Sequence, residues 1–199
     1  MHLYGSYTSP YVRRVRILAD GLGVPLAMTD VATEAGQAAL RAVTPLWRVP
    51  TLTLPDGTAL WDSQAILEGL VRRHGWGPFR PVVDIERESN LVLAVNGALD
   101  SAVNVFYLQK DGVDAAGVPY LTKQKARVDA AMAWIEQQLC EDAFFDGRPG
   151  FAELALYTTL GWMAFRDTWP VADHPILASF HARWDAEPGW KASAPTPTR

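Results

Sequence analysis

A serine hydroxyl stands near the start of the chain, at a position where it could stabilise an anion. Ser9 follows a short apolar run and a small polar turn, and Pro10 comes directly after it. Serine suits a helix N-cap because its oxygen accepts a hydrogen bond from an orphan backbone N–H, and proline suits the first helical position because it lacks that N–H. The positive end of a helix dipole favours anions, and a thiolate is an anion. Taken alone, Ser9 is adequately explained as a cap without chemistry.

Two further stretches carry groups suited to holding a peptide ligand. Val49 and Pro50 begin a predicted strand, and a cis bond between them would turn the backbone of Val49 outward, where it could pair with an extended peptide. Asp62 and Ser63 open another predicted helix, where backbone N–H groups and a hydroxyl can hold a carboxylate and Asp62 can pair with an ammonium. A peptide with an amine, a carboxylate and a thiol fits all of these groups. Glutathione is such a peptide.

The elements that must position these residues form a small α/β unit in the first part of the chain. Apolar residues at helical spacing alternate with short strand patterns, and Asp56-Gly57 is a strong hairpin signal. The predicted elements are strands at 2–4, 25–31, 47–54 and 58–61, and helices at 10–22, at 36–43 and from residue 62 onward.

The rest of the chain is predicted to be helical. Residues 74–81 are rich in glycine and proline and are interpreted as a linker. A tail from Ser193 to Arg199 alternates proline with small polar residues and is predicted to be disordered. We therefore expect an α/β domain over residues 1–76 and an all-α domain over 77–199. The helices predicted in the second domain cover residues 84–107, 119–139, 151–166 and 175–186.

Composition restricts the kinds of partner and site. The chain has 199 residues and a net charge of −4, which argues against a nucleic-acid surface, and Arg13, Arg14 and Arg16 are interpreted as solvated. A single cysteine, Cys140, excludes an intramolecular disulfide and a multi-cysteine metal site, and the histidines lack metal-ligand spacing. Without a long apolar run or a leader, the expectation is a cytoplasmic protein with no membrane partner and no metal.

Three stretches, taken together and in chain order, resemble motifs of the glutathione transferase family. They are SPYVRRV at 9–15, PLWRVP at 45–50 and DSQAI at 62–66. The resemblance covers nearly the whole chain and is greatest to small bacterial members with a serine at the start of the first helix. It implies a thioredoxin-like N-terminal domain and an all-α C-terminal domain. It also implies a detoxifying transferase that joins glutathione, its co-substrate, to small electrophilic or apolar molecules, and a homodimer formed through the first domain and the helix beginning at Asp84.

The same resemblance assigns roles to individual residues. Ser9 would donate a hydrogen bond to the glutathione sulfur. Val49 would pair through its backbone with the cysteinyl part, while Asp62 and Ser63 would bind the γ-glutamyl end. Arg48 stands where many members carry lysine and could reach the glycyl carboxylate.

Two features depart from the family pattern. The third helix of the C-terminal domain usually opens with a Ser/Thr-x-x-Asp capping box, whereas Gly150 and Glu153 occupy the matching ends here. Glycine has no side-chain oxygen, but the glutamate can still close half of the box, so we expect a modest stability cost and no change of fold. Asp62 is one methylene shorter than the glutamate often found at its position.

Several side chains have two interpretations. Tyr7 is a rival to Ser9, because a tyrosine near this strand end stabilises the thiolate in other branches of the family, while Tyr4 is expected to pack. Cys140 is expected to be an inert buried thiol.

The predicted helices of the second domain leave further alternatives open. Trp162, Phe165 and Trp169 could line an apolar co-substrate pocket, although helix packing explains at least two of them. Asn96 and Asp100 interrupt an apolar helix pattern and face either the cleft or solvent.

Two functions of other classes remain open at this point. A thioredoxin-type redox enzyme needs a cysteine at the helix start, where this chain has Ser9. A non-catalytic glutathione-binding or protein-interaction module would keep the fold, and the intact motifs argue against loss of the ligand site without proving turnover.

Overall fold

The N-terminal domain is built on a four-stranded mixed sheet with the strand order β2-β1-β3-β4. The computed structural model describes residues 1–145 and 147–195. Strand β1 pairs in parallel with β2 and antiparallel with β3, and β3 pairs antiparallel with β4. The elements of this domain are β1 (His2–Gly5), α1 (Pro10–Gly21), β2 (Ala27–Asp30), α2 (Glu34–Val43), β3 (Thr51–Thr53), β4 (Ala59–Trp61) and α3 (Ser63–His74).

The C-terminal domain is helical, and α6 lies at its centre. Helix α4 packs against α5 and α6, while α6 also packs against α1 of the first domain and against α7. Twelve of the sixteen residues of α6 are buried, as expected for a central helix. The fold predicted from the sequence is confirmed, while the domain boundary at 76/77 stays a prediction. The helices are α4 (Ile85–Lys110), α5 (Pro119–Gln138), α6 (Phe151–Arg166), α7 (Pro175–Asp185) and α8 (Pro188–Ala192).

Helix α4 is the one element in the described residues that is long and apolar enough to cross a membrane by length and composition. Its apolar residues Leu91, Val95 and Leu99 are fully buried and belong to the main hydrophobic core. A core helix in a folded domain meets the same criteria of length and composition. Helix α4 packs against α5 and α6 as such a core helix does.

The observed elements differ from the sequence predictions at several places. The strand predicted at 47–54 is reduced to Thr51–Thr53, because Trp47 has a φ of 51° and therefore lies outside the extended conformation. Helix α8 was not predicted. Cys140 follows the end of α5 and is exposed, so the prediction of a buried thiol is wrong.

The predicted disordered tail is also wrong at its first residue. Ser193 is buried, with 5% of its surface exposed, and its hydroxyl accepts a hydrogen bond from the Arg13 guanidinium at 2.9 Å. Residues 196–199 of the predicted tail lie outside the described residues.

Arg13 and Arg14 are buried at the interface between the domains, so the prediction that they are solvated is wrong. Only 3% of Arg13 and 2% of Arg14 is exposed. The Arg13 guanidinium donates to the Tyr157 hydroxyl at 2.6 Å and to the Trp190 carbonyl at 3.2 Å. Together with Ser193, these acceptors connect α1 to α6 and to the segment 190–193.

Arg14 is held by neutral acceptors of the second domain. Its guanidinium donates to the side chains of Asn96, Thr158 and Thr159 at 2.6, 3.1 and 3.2 Å and to the Ala155 carbonyl at 3.4 Å. Burial lowers the pKa of Arg14 to about 10, which leaves the group charged at neutral pH. A permanent positive charge therefore lies beneath the interface of the two domains.

The start of α6 is capped by two glutamates. Glu153 accepts a hydrogen bond from the Gly150 N–H at 2.8 Å, so the half capping box predicted from the sequence is present. Glu88 of α4 accepts from the Ala152 N–H at 2.9 Å and supplies the acceptor that Gly150 lacks. Arg80 pairs with Glu88 at 2.6 Å and lies 3.5 Å from Glu153. A Cβ atom at position 150 would meet the Arg80 guanidinium, so a serine there would have to displace the side chain that pairs with Glu88.

Candidate functional site

A cleft of about 850 Å³ lies between the sheet domain and helices α4 and α6. Its walls include the five residues to which the sequence assigned a binding or catalytic role, but not the alternative candidate Tyr7. These residues come from three separate places in the chain: the start of α1, the segment before β3, and the start of α3. The candidates brought together in the cleft are Ser9, Arg48, Val49, Asp62 and Ser63.

Ser9 caps α1 and keeps its proton available for a ligand. Its backbone is extended, with φ −78° and ψ 125°, and its Oγ accepts a hydrogen bond from the Val12 N–H at 3.4 Å. Within residues 1–145 and 147–195, the Ser9 O–H has no acceptor. Because capping uses only a lone pair, the hydroxyl can donate at the same time to an anion at the helix N-terminus.

Tyr7 and Tyr4 do not share this position. Tyr7 is 39% exposed, lies outside the walls of the cleft, and has the Arg16 guanidinium 5.0 Å from its ring centre. Tyr4 pairs with the His2 ring at 4.8 Å on β1. The geometry therefore favours Ser9 over either tyrosine as the group that meets a ligand.

The Val49–Pro50 peptide bond is cis, as the proposed peptide-pairing site required. Pro50 is buried, Val49 is half-buried, and both line the cleft. The Thr51 hydroxyl donates to the Arg48 carbonyl at 3.0 Å and fixes the turn. The Arg48 side chain is exposed at the cleft.

Asp62 caps α3 with a backbone conformation that side chains rarely adopt. Its φ of 76° and ψ of 130° lie in a sparsely populated region for a residue with a side chain, at a cost of about 1–3 kcal/mol. One carboxylate oxygen accepts hydrogen bonds from the N–H groups of Gln64 at 2.8 Å and Ala65 at 3.4 Å. The other oxygen has no hydrogen-bond donor in the described part of the protein, and Ser63 beside it is 97% removed from solvent.

Helix α4 contributes polar groups to the opposite wall. Of the two orientations left open for Asn96 and Asp100, the structure has both side chains facing the cleft. The Tyr11 hydroxyl donates to Asp100, and burial together with this carboxylate raises the pKa of Tyr11. Tyr11 therefore stays protonated. The Arg14 guanidinium lies 5.1 Å from the centre of the Tyr11 ring.

The far end of the cleft combines aromatic and basic side chains. Val103, Tyr107 and Trp162 form apolar walls, and Lys110 and Arg166 also line the space. Of the three aromatic residues predicted as pocket candidates, Trp162 lines the cleft, whereas Phe165 and Trp169 do not. Among the described residues there is no cluster of histidine, cysteine and acidic side chains that could hold a metal ion.

Comparison with known families accounts for both halves of this arrangement. Residues 3–79 match the family model of the glutathione S-transferase N-terminal domain, and residues 99–183 match that of the C-terminal domain. The chain belongs to the glutathione transferase family.

Relatives of this family member match it over almost its full length. A structure from Methylobacterium radiotolerans, in complex with glutathione sulfonate, is 26% identical with a TM-score of 0.84, covering 100% of this chain and 96% of its own. A family member from Pseudomonas fluorescens with bound glutathione is 28% identical with a TM-score of 0.82, covering 98% and 99%. The uncharacterised GST-like protein YibF of Escherichia coli is 23% identical over 181 residues, 89% of this chain and 90% of that protein.

Some residues of the transferase cleft were not singled out from the sequence. Asn104 is one of them. It continues the four-residue spacing of Asn96 and Asp100 on α4, which places all three on one helix face and could have indicated a shared wall. Tyr11, Lys110 and Arg166 carried no comparable local signal, because each enters the cleft through contacts between distant elements. The functional roles assigned from the sequence stay predictions.

Proposed function

We propose that the protein is a glutathione transferase that conjugates the thiolate of glutathione to small electrophilic or apolar substrates. The observation that carries this proposal is the convergence of all five candidate residues, from three separate segments, on one interdomain cleft. Two relatives above 25% identity, described with glutathione sulfonate and with glutathione, support binding of the same tripeptide here.

The proposed roles follow the chemistry of each group. Ser9 donates its O–H to the glutathione sulfur, and the peptide groups of Val49 pair with the cysteinyl part. Ser63, at the N-terminus of α3, receives the γ-glutamyl carboxylate, and the free oxygen of Asp62 faces the ammonium. Arg48, exposed at the cleft, pairs with the glycyl carboxylate.

The main contribution that the reaction needs from the protein is stabilisation of the glutathione thiolate. The glutathione thiol loses its proton to solvent, its sulfur forms a bond to an electrophilic carbon, and the electron pair displaced from that carbon leaves with the departing group. Free thiols titrate near pH 8.5, so a group that favours the charged form raises the fraction of the nucleophile at neutral pH.

We expect saturable binding of glutathione in titration calorimetry at neutral pH, and Ser63→Ala should weaken it about tenfold. Ser63 is buried at the N-terminus of α3, where a charge-assisted hydrogen bond to a carboxylate would be lost. Ser179→Ala is the matched control, because this serine pairs with Asp142 on the exposed side of α7. Absence of binding up to millimolar glutathione with folded protein would contradict the proposal. Binding without turnover of any electrophile would instead favour a non-catalytic module.

We also propose a homodimer formed through the first domain and α4. Large apolar side chains are exposed on these elements, including Trp61 at 39%, Ile85 at 67% and Leu93 at 70%. Light scattering at micromolar concentration should give twice the chain mass of 21.9 kDa. A value equal to one chain would rule out a stable dimer. A cytoplasmic location is proposed as well, and cell fractionation tests it.

A further inference from the structure

The end of the cleft at the C-termini of α4 and α6 is positively charged in a protein of net charge −4. Lys110 is the last residue of α4 and Arg166 the last of α6. Both line the cleft, and both also line an adjoining cavity of about 620 Å³. Neither forms an ion pair within the part of the chain that the structure describes.

The Arg166 guanidinium is held in place by aromatic rings. Its central carbon lies 5.1 Å from the ring centre of Phe106 and 4.7 Å from that of Phe165. Its Nε atom is buried and has no hydrogen-bond partner in the described residues. Arginine stacked on aromatic rings keeps its N–H groups directed outward at the edges of the plane, which suits a carboxylate. The Arg166 guanidinium is therefore held in position, but no carboxylate in the described residues forms an ion pair with it.

The acidic residues around Arg166 are engaged elsewhere or lie outside the cleft. Asp100 accepts the Tyr11 hydroxyl, and Asp129 accepts the Trp169 indole N–H at 2.9 Å. Asp167 is exposed at the end of α6 and lines only the adjoining cavity. None of the three lies within ion-pair distance of Arg166.

The spacing along α4 locates the basic end relative to Ser9. Tyr11, two residues after Ser9, contacts Asp100, and Arg166 stacks on Phe106. The six residues from Asp100 to Phe106 correspond to a rise of roughly 9 Å. This separation along the helix axis leaves room for one aromatic ring with a reactive carbon at one end and an anionic group at the other. Trp162, which lies edge-on to Phe106 at 5.6 Å, supplies an apolar wall for that ring.

We propose that the second substrate is an aromatic electrophile bearing a carboxylate, which Arg166 binds while the reactive carbon faces the glutathione sulfur. This inference rests on the proposed transferase function and specifies its substrate class. Lys110 adds positive potential at the same end. The guanidinium also offsets the repulsion between the substrate carboxylate and the attacking thiolate, so binding the anion does not oppose the approach of the two reactants.

The test compares 4-chloro-3-nitrobenzoate with its neutral methyl ester. In both, the glutathione sulfur bonds to the chlorinated carbon, and chloride leaves with the electron pair of the broken C–Cl bond. Each kcat/KM is divided by the uncatalysed rate constant with glutathione, because the ester activates the ring more strongly. The corrected ratio of carboxylate to ester should be about tenfold in the wild-type protein, the scale of one charge-assisted hydrogen bond.

Arg166→Gln should bring this ratio close to one, and Arg166→Lys should retain part of it. The control is Arg183→Gln, which removes another arginine stacked on an aromatic ring, that of Trp184 at 4.9 Å, outside the cleft. This control should keep the wild-type ratio. A wild-type ratio of one or less, or an unchanged ratio in Arg166→Gln, would overturn the inference while leaving the transferase proposal intact.

Calorimetry with the conjugates separates the two proposals if neither substrate turns over. The ligands are S-(4-carboxy-2-nitrophenyl)glutathione and its methyl ester. Tighter binding of the carboxylate in the wild-type protein, lost in Arg166→Gln, would support the carboxylate site although catalysis failed. Equal binding of both conjugates would exclude the site. Failure of glutathione and both conjugates to bind folded protein would overturn both proposals.

Discussion

Ser9→Ala should lower the turnover of glutathione conjugation by about ten- to a hundredfold. The Ser9 hydroxyl and the N-terminus of α1 both favour the anionic form of a bound thiol, and the variant keeps only the second. A fall of one to two units in the pKa of bound glutathione corresponds to roughly 1.4–2.7 kcal/mol, which matches that loss of rate. Glutathione affinity should change much less, because Val49 and Ser63 hold the peptide.

An absorbance titration of the thiolate in the complex measures the effect directly. The bound thiol should titrate at a higher pH in Ser9→Ala than in the wild-type protein. Ser6→Ala is the control, since Ser6 also lines the cleft but its hydroxyl pairs with that of Thr8 at 2.9 Å. Loss of the N-cap also costs about 1 kcal/mol of stability, so both proteins are compared well below their unfolding temperature. If the bound thiol titrates at the same pH in the wild-type protein and in Ser9→Ala, Ser9 acts only as a helix cap.

Glu88→Ala should lower the free energy of unfolding by about 3–5 kcal/mol, the largest stability effect that we expect from one substitution. The substitution leaves Arg80 without its closest carboxylate in a site where the side chains of Arg80 and Glu88 are only 8% and 4% exposed. It also removes the acceptor of the Ala152 N–H at the start of α6. The remaining partner, Glu153, lies farther from Arg80, at 3.5 Å.

Urea unfolding monitored by tryptophan fluorescence provides the measurement. Glu86→Ala is the matched control, because Glu86 is exposed one half-turn away on α4 and should change stability by no more than about 0.5 kcal/mol. Glu88→Gln keeps an acceptor for the start of α6. Its loss of unfolding free energy should lie between those of Glu88→Ala and Glu86→Ala, so a comparison remains possible if Glu88→Ala does not fold. A loss below about 1 kcal/mol for Glu88→Ala would show that the buried pair contributes little.

Local signals explain which parts of the fold were predictable from the sequence. The Ser9-Pro10 pair predicted the start of α1, and Asp62 predicted the start of α3 through the preference of short acidic side chains for helix caps. The bounds of α6 were predicted to the residue because an apolar helical pattern follows Gly150 directly. Each of the five candidate residues lies beside such a signal, and all five line one cleft, while their roles stay predictions.

Long-range contacts explain what the sequence did not reveal. Arg13 and Arg14 were interpreted as solvated because their acceptors lie far away in the chain. Tyr157, for example, is 144 residues after Arg13. Tyr11 meets Asp100 across 89 positions. The position of the Arg80 guanidinium beside Gly150 is likewise a result of packing. From the sequence alone, the missing capping serine therefore predicted only a modest stability cost.

The burial of Arg13 has a consequence for the order in which the molecule is made. Its acceptors Tyr157, Trp190 and Ser193 are 144, 177 and 180 residues further along the chain. A protein leaves the ribosome from its N-terminus, so the sheet domain emerges with this guanidinium still in water. A nascent chain stopped before residue 190 would carry the Ser9 cap without the contacts that dock α1 against Trp190 and Ser193. These contacts of Arg13 therefore form in full only after residue 193 has left the ribosome.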